Sequence, residues 1–174
     1  MSSLAEVIET PLSPDALGER FRDLCADPRF TNLPGKVELD VWGRILMSPA
    51  SNQHSLIQTR LARRLASLGG EPMVEASVTT QAGVLVADVA WASAEFILAH
   101  CSETPFITAP ELCIEIASSS NSRRELREKA EAYLAAGALE AWLVYPQSRR
   151  FERFGSGGPL DRSQFDVDLT NLFD

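Results

Sequence analysis

Cysteine is scarce here. Cys25, Cys101 and Cys113 are odd in number, scattered, and form no CxxC pair. That excludes a disulfide framework and a zinc site built on paired thiolates. No apolar run approaches the roughly 18 residues that a membrane span requires. The opening stretch, MSSLAEVIETPLSPDALGER, has early acidic residues and no basic-then-apolar leader pattern. These absences together predict a cytoplasmic protein with reduced, buried thiols. Positive charge is also short: Lys and Arg total 16 against 24 Asp and Glu, a net charge of −8. A protein that grips phosphate backbones through its general field is usually basic. The balance therefore counts against strong non-specific nucleic-acid affinity, while leaving room for a local charged site.

What is present suits one globular domain: 174 residues, 45% of them apolar. Residues 1–35 carry four prolines and read as an N-terminal arm with a short helix near Ser13–Ala26. Residues 36–174 form the domain proper. Lys36–Met47 reads as a hairpin bending near Val41-Trp42-Gly43. Ser51 caps a helix that runs to Leu68 and ends at Gly69-Gly70, with His54, Ile57, Leu61, Leu65 and Leu68 on one stripe. Arg60, Arg63 and Arg64 fall on its other faces, as a solvated surface or a small basic patch. Two strands follow, about 72–80 and 83–91, and Ser93 begins a short helix to His100.

The centre of the chain is PELCIEIASSSNSRRELREKAEAYLAAGALEAWLVYP, Pro110 to Pro146. Leu112, Ile114 and Ile116 alternate with Cys113, Glu115 and Ala117, the period of a strand over 111–117. Ser122 and Glu125 make a capping box for a helix over 122–136. Its sheet-facing stripe is Leu126, Ala130, Tyr133, Leu134 and Gly137, and Lys129 lies about 40° outside it. Gly137 ends that helix, and Ala141–Tyr145 is an apolar strand to be covered on both faces. The unit is strand–helix–strand with parallel pairing. Arg149–Phe154 adds an edge strand, and the acidic tail closes the sheet or is partly mobile.

Two carboxylates sit where apolar side chains are expected. Glu115 lies mid-strand between Ile114 and Ile116. Asp88 shares a predicted face with Val84, Val86 and Ala90. A carboxylate so placed loses hydration and must find a partner, a proton or a metal ion. Structural alternatives stand beside the chemical one. Asp88 could bond backbone amides at a strand end, Glu115 could pair with an arginine such as Arg123, and Lys129 could extend to water. His54 begins on the buried side of its helix, as a hydrogen-bonded terminus or a neighbour of the site. Beyond Lys36, Lys129 is the only lysine.

The Pro110–Pro146 pattern resembles the Uma-type restriction endonuclease family, a branch of the PD-(D/E)XK nuclease superfamily. The likeness extends more weakly back to about Glu38. It implies an α/β, restriction-endonuclease-like fold: a central mixed β-sheet flanked by helices, with an N-terminal β-hairpin. It implies Asp88 and Glu115, 27 positions apart, as ligands of Mg²⁺ or Mn²⁺. The superfamily's proline before the Asp is Ala87 here, and its lysine two residues after the Glu is Ala117. In the resembling family that lysine's function has moved to the following helix, where Lys129 stands. The hairpin segment of the family carries an acidic residue; Glu38 fits it loosely and is assigned no catalytic role. The implied activity is metal-dependent hydrolysis of DNA phosphodiester bonds by a homodimer. The alternative is a catalytically silent nuclease fold acting as a dimeric nucleic-acid-binding or interaction module.

Overall fold

In the computed structural model, residues 10–30 and 35–174 are described. The expected arm, residues 1–35, falls partly outside them. Its described part holds α1, Pro14–Ala26, capped by Ser13. Leu17 and Phe21 of α1 are buried against Leu39, Val84 and Val86. Lys36–Asp40 (β1) and Ile45–Ser48 (β2) form the predicted antiparallel hairpin. Gly43 turns it at φ 73°, a conformation that favours glycine.

Helix α2, Asn52–Leu65, starts at the Ser51 cap and passes into a 3-10 turn over Ala66–Leu68. Strands β3, Glu71–Thr80, and β4, Gly83–Ala92, pair antiparallel along their whole length. A short helix α3, Ala94–His100, follows. The central unit is β5, Leu112–Ile116; α4, Arg123–Ala135; and β6, Glu140–Tyr145. β5 and β6 are parallel, as the sequence predicts. Strands β7, Arg150–Gly155, and β8, Gly158–Pro159, complete an eight-stranded sheet. The predicted edge strand is therefore next to last, with β8 outside it.

The two faces of β5 separate as the alternation requires. Leu112, Ile114 and Ile116 pack with Ile57, Leu61 and Leu65 of α2 and with Trp142 and Val144. Cys113 packs on the other side, with Ala132 and Tyr133 of α4. The acidic tail closes one face of the core, placing Leu172, Phe165, Val167 and Leu169 beside the α2 layer. Glu140, buried at the start of β6, anchors that segment. It accepts from Ser163 Oγ, Gln164 N–H and Trp142 Nε1, each at 2.7 Å.

One predicted face is corrected. Val84 and Val86 pack toward α1, but Ala90 joins Leu85 and Ala87 in the α4-side cluster. Strict alternation along β4 breaks at Asp88. On the neighbouring strand the register runs Val74↔Val89 and Ala76↔Ala87, and the residue between, Glu75, has φ 54°. The local distortion of the pair accounts for the change of face. Among the described residues, no helix is long and apolar enough to cross a membrane.

Candidate active site

β3 takes one edge of β4 throughout, so β1 and β5 must share the other. β1 pairs there at Val84 and Gly83, and β5 at Val89, Ala90 and Trp91. Between these contacts the ladder opens into a fork, and side chains replace the missing backbone bonds. Val86 N–H donates to Glu38 Oε1 at 2.8 Å, and Ile116 N–H to Asp88 Oδ2 at 2.7 Å. The fork thus turns three carboxylates, Glu38, Asp88 and Glu115, toward one small space. All three are buried.

Both lysines of the chain fill that space. Lys36 Nζ donates to Asp88 Oδ1 at 2.8 Å and Glu115 Oε2 at 3.1 Å, and lies 3.9 Å from Glu38 Oε1. Lys129 Nζ reaches from α4 to both oxygens of Glu38 at 2.7 Å and lies 3.6 Å from Glu115 Oε2. Tyr133 on the same helix donates its hydroxyl to Glu115 Oε1 at 2.7 Å. His54 Nε2, in the first turn of α2, is 3.4 Å from Asp88 Oδ1, and its buried Nδ1 finds no partner among the described residues.

The two expected carboxylates are pushed in opposite directions. Burial opposes the charge of Asp88, but the contact with His54 and the Lys36 ammonium outweigh it and hold its pKa at about 2. Burial raises the pKa of Glu115; Lys36 and Lys129 oppose that rise, while Asp88 and Glu38 add to it. For Lys36, burial favours the neutral amine, yet Glu115, Asp88 and Glu38 together lift its pKa above the ordinary lysine value. It is a fixed positive charge. Opposed shifts on neighbouring groups are a common property of catalytic sites.

The structure brings Asp88, Glu115 and Lys129 together around one space. It also adds Lys36, Glu38 and Tyr133. Lys36 and Glu38 were legible in one respect: they stand at i and i+2 on β1, so they share a face. Asp88 bonds a backbone amide as the structural alternative supposed, yet still offers Oδ1 to the space. Glu115 does not pair with Arg123, which binds Glu152 at 3.2 Å instead. Nor are Arg60 and Arg64 a free patch: they donate to the Leu172 and Asp168 carbonyls of the tail.

Among the described residues, no three His, Cys, Asp or Glu side chains form a ready metal cage. Two carboxylate oxygens, Asp88 Oδ1 and Glu115 Oε2, nevertheless converge on one cation, the Lys36 ammonium. That convergence fits a hard divalent ion, which takes one or two carboxylates and completes its shell with water and phosphate. The space among the side chains is about 30 Å³, water-sized, and also lined by Ser48, Glu75, Ser118 and Asn121. A cleft of about 310 Å³ adjoins it, bounded by His54, Gln53, Ser118–Ser120 and Gln147.

No curated protein matches the chain. Among solved structures, it is similar to a putative nuclease belonging to DUF820 from Anabaena variabilis ATCC 29413. The identity is 19% and the TM-score 0.61, over 91% of this chain and 83% of that one. At that identity the likeness carries the fold alone, which is restriction-endonuclease-like. A protein-family model, Uma2, described as "Putative restriction endonuclease", matches residues 19–171. That span runs well beyond the Pro110–Pro146 pattern at both ends, and by it the chain belongs to the Uma2 family.

Proposed function

We propose that this protein is a metal-dependent endonuclease that hydrolyses phosphodiester bonds in DNA. The observation that carries the reading is the convergence of Asp88 and Glu115 on a single cation, with the Lys129 ammonium 3.6 Å from Glu115. Asp88 Oδ1 and Glu115 Oε2 would hold Mg²⁺ or Mn²⁺. The ion supplies Lewis acidity at a phosphoryl oxygen and acidifies water. Lys129, held by both oxygens of Glu38, places a positive charge where charge grows on the phosphate. Tyr133 orients Glu115, leaving Oε2 toward the space. The adjoining cleft, lined by Ser118, Ser119 and Ser120, would receive a phosphodiester; the Ser118 hydroxyl is itself engaged by Asn121 and Ser120.

DNA as substrate rests on the family description, and a homodimer on the two-fold symmetry of a duplex cut on both strands. Cys113 is buried as expected but Cys25 and Cys101 are exposed, and free thiols suit a reducing cytoplasm. A second reading, the silent binding module, is favoured by Ala117 at the position of the superfamily lysine. Nicking of supercoiled plasmid in Mg²⁺ or Mn²⁺ separates the two. Wild type should nick, and Asp88→Asn and Glu115→Gln should each lose about 100-fold or more. Intact plasmid with wild type, or variants that nick as well as wild type, would overturn the nuclease reading.

A further inference from the structure

We infer that Lys36 is a built-in countercation that occupies the metal position and must leave it before a divalent ion can bind. The inference rests on the metal reading above and concerns a residue to which that reading gives no role. Lys36 Nζ contacts both oxygens that would ligate the ion, at 2.8 and 3.1 Å. An ion bridging those two oxygens at about 2.1 Å would lie between them where the ammonium now sits, so the two positive charges compete for one position. Its side chain is only 10% exposed, so the contact is enclosed. The arrangement is also nearly balanced without metal, because three carboxylates, Glu38, Asp88 and Glu115, face two ammonium groups, Lys36 and Lys129. Removal of Lys36 would leave buried carboxylates uncompensated, which favours a divalent ion in its place.

Lys36 comes from the β1–β2 hairpin, whereas the ligands come from β4 and β5. Its departure therefore needs no change in the strands that carry Asp88 and Glu115. The lysine-filled form is a competing state, and its population lowers the apparent metal affinity by the fraction of protein that remains open.

Calorimetric titration of Mn²⁺ into wild type, Lys36→Met and Asp88→Asn tests this. Lys36→Met should bind about tenfold tighter or more than wild type, and Asp88→Asn should not bind. Equal or weaker binding by Lys36→Met, at a site that Asp88→Asn abolishes, would overturn the role of Lys36 and leave the metal reading standing. No binding by either wild type or Lys36→Met would overturn both. A second readout does not depend on folding of the variant. The chain has two lysines, so selective labelling of the lysine ε-carbon yields two resonances. Mg²⁺ should move the Lys36 resonance in wild type; Mg²⁺ binding that leaves it unmoved would contradict the inference.

Discussion

The Tyr133 hydroxyl donates to Glu115 Oε1 at 2.7 Å in surroundings closed to water, where a lost donor is not replaced by solvent. Tyr133→Phe should cost about 1–3 kcal/mol in urea denaturation, the usual penalty for a buried acceptor left short of a partner. Asp88 predicts a pH dependence. Its folded pKa, about 2, is below its unfolded value, so its contribution to stability is complete above about 4 and disappears as pH falls toward 2. Glu115, with a raised pKa, acts in the opposite sense. Denaturation at pH 4 and pH 2 should show a steeper loss for wild type than for Asp88→Asn. Asp88 and Glu115 were legible because a charge in an apolar alternation is a local signal. Of Lys36 and Glu38 only the shared face on β1 was legible, since their place in the site depends on β1 meeting β4 across about fifty residues, as the Glu38–Val86 bond does.

At the scale of elements, α4 carries both Lys129 and Tyr133, so its first turn bears on the site. Ser122 and Glu125 form the capping box that the sequence predicts, with Ser122 N–H donating to Glu125 at 2.7 Å. Ser122→Ala should cost about 1 kcal/mol in thermal or urea unfolding. Helix and strand positions were readable because capping residues and periodicity are local. The change of face in β4 was not readable, because it arises where Asp88 stands opposite Glu75 at φ 54°. No pattern within β4 alone signals a distortion shared with a neighbouring strand.

Across the whole molecule, the tail and α2 share one core layer, and Leu172 is fully buried there. Leu172→Ala should cost about 2–5 kcal/mol, measured as a lower urea midpoint. The parallel strand–helix–strand unit was legible from periodicity and capping, and the fold class from the family resemblance that its residues carry. The acidity of the chain, −8 overall, is compatible with a site whose own charges nearly cancel. The account turns on Asp88 and Glu115 sharing one divalent ion. Its most direct test is calorimetric titration of Mn²⁺ into wild type and into Glu115→Gln. The account predicts one ion per chain for wild type and loss of that binding in the variant; identical titrations of the two proteins would contradict it.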